Sequence, residues 1–189
     1  AACNQGKSDC VQLLLAANAA IDQPDNDGTT PLYTACNQGK SDCVQLLLAA
    51  NASIDQPDKD GVTPLYNACN QGKSDCVQLL LAANAAVNQP DKHGATPLRT
   101  ASNLGKSDCV QLLLAANSAI DQPDNDGYTP LFTVCFQGKL KQIKLLVDAR
   151  ARLDVRCGPH SWTPLAAAEA QGHSAVAAFL RSRRRRPTA

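Results

Sequence analysis

"DNDGTTPLYTACNQGKSDCVQLLLAAN", residues 25–51, returns with few changes as residues 58–84 and again as 91–117. Its last thirteen residues, from Gly39, also begin at Gly6, Gly72 and Gly105 without a difference. Gly28, Gly61, Gly94 and Gly127 stand 33 residues apart each time. A fixed period in this range marks stacked structural repeats, each burying a face against its neighbour. A catalytic site is normally built once, so four copies of one segment point to framework instead.

Inside the period the chain punctuates itself. Thr30-Pro31 predicts a helix start, with Thr as cap and Pro at the first helical position, where its missing N–H costs nothing. That helix should run from Pro31 to Gln38 and stop at Gly39. Ser41 is expected to cap a second helix, with Asp42 in its first turn, favourable to the helix dipole. The second helix would carry Cys43, Val44, Leu46, Leu47 and Leu48 and end at Asn51. Asn is the usual substitute for Gly in the left-handed position after a helix. The stretch "ASIDQPDKDGV", residues 52–62, is polar, holds Pro and Gly, and suits a turn or hairpin.

These residues resemble the ankyrin repeat family, whose signature is T-P-L-H-x-A within 33 residues. The matching segments are "TPLYTA", "TPLYNA", "TPLRTA", "TPLFTV" and "TPLAAA", beginning at Thr30, Thr63, Thr96, Thr129 and Thr163. The resemblance covers essentially the whole chain. It implies an all-α solenoid of helix-turn-helix units joined by β-hairpin-like loops, with a concave face made by loop tips and first helices. Residues 1–180 would form one array: a partial repeat (1–24), repeats at 25–57, 58–90, 91–123 and 124–157, and a capping repeat (158–180). Residues 181–189 form a basic tail. The family's His is replaced by Tyr33, Tyr66, Arg99, Phe132 and Ala166. Its Gly after the second helix is replaced by Asn18, Asn51, Asn84, Asn117 and Arg150. The last junction, "DVRCGPHSWTPL", is one residue longer than the others.

Composition fits this picture. Hydrophobic residues make up 44% of the 189 and aromatics only 4%, with no Met, so Leu and Ala carry the packing. The net charge of +1 gives no general attraction to nucleic acid or membrane. Five arginines among the last nine residues leave the remainder at about −4. No apolar run approaches the roughly 18 residues that span a bilayer. The chain opens inside a repeat and without Met, which predicts an N-terminal part outside the sequence. From "GKLKQIKLLVDARARLDVR" onward, Lys and Arg take positions that Asp, Gln or Ala hold in the copies, as expected near a closing cap.

Eight of the nine cysteines recur in register: Cys3, Cys36, Cys69 and Cys135 in the first helix, Cys10, Cys43, Cys76 and Cys109 in the second. Equivalent cysteines one repeat apart should lie about 8–10 Å from each other, beyond the roughly 7 Å that a disulfide allows. They read as small core residues, which favours a reducing compartment. His173, in "QGHSAV", is expected to be structural. Cys157 and His160 have Cys-x-x-His spacing, but one such pair without two further ligands is weak grounds for zinc. The "DQPDNDG" runs lack the calcium-loop spacing and terminal Glu. No nucleophile–base grouping or phosphate loop stands out. No catalysis, cofactor or metal is expected.

What differs between copies is the loop and first helix. Tyr33, Tyr66, Arg99 and Phe132 vary at one position, Asn37, Asn70, Asn103 and Phe136 at another, Gln38, Gln71, Leu104 and Gln137 at a third. Before Thr-Pro stand Thr29, Val62, Ala95, Tyr128 and Trp162, and the loop tips carry Lys59, Lys92 and His93. Six of the seven aromatics lie on this half. The expected partner-binding residues are Tyr66, Arg99, Leu104, Tyr128, Phe132, Phe136, Trp162, Lys59, Lys92 and His93, centred on Tyr128 and Trp162, with core filling beside Val134 an equal reading for Phe132 and Phe136. Aromatic and Arg side chains of this kind dominate interface energies.

The function this predicts is a non-catalytic protein–protein interaction scaffold: a monomer, cytoplasmic or nuclear, without a small-molecule substrate or membrane contact. Two alternatives stand beside it. The near-perfect copies also suit an engineered, consensus-like scaffold with no natural partner, and codon usage would separate synthesis from tandem duplication. The Arg tail could make the chain a nuclear or nucleic-acid adaptor, though the balanced charge of the body disfavours nucleic acid.

Overall fold

The computed structural model describes residues 2–184. Among them are twelve α-helices in six pairs, and the only β pairing is an isolated bridge between Cys157 and Trp162. The loops expected as hairpins are therefore turns and not strand ladders. The chain divides into two compact units, with the boundary between Lys92 and His93.

The first unit holds α1 (Ala2–Gln5), α2 (Ser8–Ala16), α3 (Pro31–Gln38), α4 (Ser41–Ala49), α5 (Pro64–Gln71) and α6 (Ser74–Ala82). The Thr-Pro starts are as read: Thr30 and Thr63 accept the Tyr33 and Tyr66 N–H at 3.1 and 3.2 Å. The start of the second helix differs from expectation. Lys40 is the N-cap of α4, with no side-chain cap, and Ser41 is already helical. The cause is the preceding stop. Gly39 turns left-handed at φ 69°, and the Lys40 N–H bonds back to Ala35 O at 2.9 Å. The chain thus re-enters a helix one residue before the hydroxyl can cap it. Asn51 and Asn84 take φ 61° and 64° after α4 and α6, as their type allows.

The same nonapeptide, SDCVQLLLA, packs differently by position. In α4 and α6 it buries Cys43, Val44 and Leu47, and Cys76, Val77 and Leu80. In α2 only Val11 is buried, and Leu14 is 51% exposed where its counterpart Leu47 is 2%. Burial of a Leu side chain stabilises by about 1.5–3 kcal/mol, so stacking supplies what the helix alone lacks. Neighbouring loops are also stitched by hydrogen bonds. The Lys59 and Lys92 N–H groups donate to Asp27 O and Asp60 O at 3.2 and 2.9 Å, and Asp22 and Asp55 accept the Ser53 and Ala86 N–H.

The second unit holds α7 (Pro97–Asn103), α8 (Ser107–Ala115), α9 (Pro130–Phe136), α10 (Leu140–Asp148), α11 (Pro164–Ala170) and α12 (Ser174–Arg184). Its core is Leu98, Val110, Leu113, Leu131, Ile143, Leu146 and Leu180, all essentially inaccessible. The same stitches recur, Asn125 N–H to His93 O at 3.0 Å and Arg152 N–H to Asp121. His173 ties α11–α12 to the preceding repeat: its Nε2 lies 3.0 Å from Phe136 O, and its ring fills the space a side chain at Gly138 would need. Residues 181–184 of the basic tail continue α12, while 185–189 lie outside the described residues.

An aromatic cleft as the candidate functional site

The residue after Thr-Pro-Leu faces the aspartate of the following turn, repeat after repeat. Tyr33 faces Asp58, and burial, reinforced by that carboxylate, pushes the phenol well above its usual 10. Tyr66 donates to Asp91 at 2.9 Å. In the second unit Arg99 meets Asp124 at 2.5 Å, with the carboxylate almost fully buried. These aspartates also close their own turns. Asp58 accepts the Asp60 and Val62 N–H at 2.9 Å each, and Asp124 accepts those of Asp126 and Tyr128 at 3.1 and 2.8 Å.

One register further, both members of the pair change together. Phe132 has no polar atom to offer, and Cys157 stands where an aspartate would. The two are buried in one cluster with Ala167, flanked by Tyr128, Val155 and Trp162. A buried carboxylate there would face a phenyl ring and lose the side-chain partner that its counterparts have, at a cost of about 1–3 kcal/mol. Without that carboxylate the turn closes by other means. Cys157 and Trp162 exchange backbone hydrogen bonds at 2.9 and 3.1 Å, and Ser161 N–H bonds to Gly158 O. The extra residue of the last junction is accommodated in this bridged turn.

The change opens a cleft of about 330 Å³. One wall is a row of rings: Tyr128 to Phe132 at 5.2 Å and 26°, Phe132 to Phe136 at 6.4 Å and 20°. The other is the bridged turn, with Pro159, His160 and Trp162, the His160 and Trp162 rings 5.3 Å apart. The Tyr128 ring lies against Gly158, so closely that a Cβ there would come within 2.7 Å of the ring. Gly158 also has φ +66°, so only glycine suits both demands. Arg99 lines one end with its charge already matched by Asp124.

Of the residues expected to bind a partner, Arg99, Tyr128, Phe132, Phe136 and Trp162 meet at this cleft. Their roles separate. Phe132 is buried and forms the floor, Tyr128 and Trp162 are half-buried, and Phe136 is 42% exposed. Leu104, 45% exposed, is not among the lining residues. His93 contributes its carbonyl to the Asn125 stitch. Tyr66, Lys59 and Lys92 belong to the first unit: Tyr66 is held by Asp91, and Lys92 pairs with Asp60 at 2.7 Å. Sequence reasoning passed over Gly158 and Pro159, and weighed His160 only as a metal ligand. The signal for them was the longer last junction.

The cysteines are free thiols, all buried except Cys10. The Cys36 thiol, in α3, is pushed well above its usual range by the neighbouring Cys76 thiol, in α6, and by burial. Cys157 lies 3.8 Å from the Thr129 hydroxyl beneath the cleft.

Paired helices at a period of about 33 residues, with the same second helix in four of the six pairs and a varied loop and first helix, define a stacked-repeat scaffold. The chain belongs to the ankyrin repeat family: the family model for ankyrin repeats in three copies matches residues 1–58, 51–124 and 98–188. Members are generally protein–protein interaction modules and typically non-enzymatic. No curated protein shows significant similarity to the chain.

Proposed function

We propose that this chain is a protein-binding scaffold whose partner-facing surface centres on the aromatic cleft of residues 93–184. The carrying observation is the ring row. In a frame packed by Leu and Ala, the exposed face of Phe136 and the half-buried Tyr128 and Trp162 surround an open cleft instead of filling a core. Such a cleft takes an apolar or ring-bearing anchor from a polypeptide, with edges of rings and the Pro159 turn as walls. Truncating an anchor-binding aromatic typically costs about 2 kcal/mol, some 30-fold in affinity.

The test is selection of peptides from a random display library against the full chain, followed by anisotropy with F136A/W162A. Loss of about 100-fold or more, with the unfolding midpoint of the variant retained, is expected for two such positions. Peptides that bind both proteins alike would place the interaction elsewhere. The free thiols support a reducing compartment, the cytoplasm or nucleus. Imaging of the tagged chain in cells checks this, and accumulation in a secretory compartment would refute it.

A further inference from the structure

We infer that α10 and the turn after it form a second docking surface, one for an acidic polypeptide segment. The copies supply the argument. Residues 107–119, α8 and its turn, carry a net charge of −1, and the equivalent residues 140–152 carry +3. Lys141 stands in place of Asp108, Lys144 of Gln111, Arg150 of Asn117 and Arg152 of Ala119. Asp108, Gln111 and Asn117 are exposed, and so are Lys141, Lys144 and Arg150. Covering or uncovering a face therefore does not explain the change.

Two of the replacements work against the fold. Lys141 lies in the first turn of α10, where a cation opposes the helix dipole and the aspartate of the copies favours it. Arg150 takes φ +70°, a conformation that Asn tolerates better than a long side chain. Local stability is given up at both ends of one helix, and each time a cation is gained. Lys141, Lys144 and Arg150 have no ion-pair partner among the described residues. Asp148, on the same helix face, is met by Arg183 of α12 at 3.2 Å, so the cations of α12 adjoin the patch.

Charge complementarity asks for an anionic occupant, and the arrangement favours carboxylates over a phosphate polymer. Nucleic-acid sites set several phosphate contacts in an unbroken row and add rings that stack on bases. Here Asp148 and Asp154 interrupt the cations, and the nearby ring, Phe179, is covered by Arg183 at 5.1 Å.

The experiment restores the residues of the copies in the full chain, K141D/K144Q/R150N, and measures anisotropy of a fluorescein-labelled deca-glutamate peptide at low salt. Binding about ten-fold weaker is expected from three exposed charge contacts, together with an unfolding midpoint equal to or above that of the parent. Unchanged binding overturns the inference, as does a lowered midpoint, which would mean the cations serve the fold. Loss only on removing residues 185–189 also overturns it. A 20-nucleotide single strand that displaces the peptide at lower concentration would assign the face to nucleic acid instead.

Discussion

The pairing of each Thr-Pro-Leu residue with the next turn's aspartate is the residue-scale rule of this molecule. Tyr33, Tyr66 and Arg99 obey it with a polar atom, and Phe132 evades it because Cys157 has replaced the aspartate. Arg99→Tyr should therefore be nearly neutral in urea unfolding, since Tyr occupies the two preceding registers. Arg99→Phe should cost about 1–3 kcal/mol by stranding a buried carboxylate. Tyr33 adds a pH dependence. Its folded phenol titrates above the unfolded value of 10, so its contribution is complete below pH 10 and is lost as pH rises further. Thermal unfolding between pH 9 and 12 should show a steeper alkaline decline in the parent than in Tyr33→Phe, and equal declines would refute a phenol held neutral by burial beside Asp58. Thiol reactivity tests the core. Ellman's reagent should modify one thiol per native chain, Cys10, and the remaining eight only on unfolding. Burial pushes Cys135, for one, up to about 12, far from its reactive form.

At the scale of elements, the helices were legible because each carries its own punctuation: Thr-Pro to open, Gly to stop the first, Asn to close the second. Asn51→Ala should cost about 1 kcal/mol or more through its left-handed φ, while Asn51→Gly should not. Urea midpoints of the two variants decide it. What was not legible depended on contacts between repeats. The cap of α4 passed from Ser41 to Lys40 because the Gly39 turn fixes where the helix begins. The loops lacked strand pairing because their aspartates close them first. The last turn, alone in lacking that aspartate, is the one that forms a bridge.

For the whole molecule, several of the varied residues line one cleft, and they differ in burial. Phe132 and Phe136 look equivalent on paper, and only the fold turns one inward and the other out. Lys59 and Lys92 vary and also serve the frame, since their N–H groups stitch neighbouring loops and Lys92 pairs with Asp60. Variation marks where a frame can change, and packing decides which changes reach solvent. The central claim, that residues 93–184 grip a partner at the aromatic cleft, has a built-in reporter, since Trp162 is the chain's one tryptophan. The direct measurement is Trp162 emission during titration with a peptide selected against the full chain. A saturable shift in emission is expected, with the midpoint raised about 30-fold in Phe136→Ala. Binding that leaves Trp162 emission unchanged, or a midpoint indifferent to Phe136, would contradict the account.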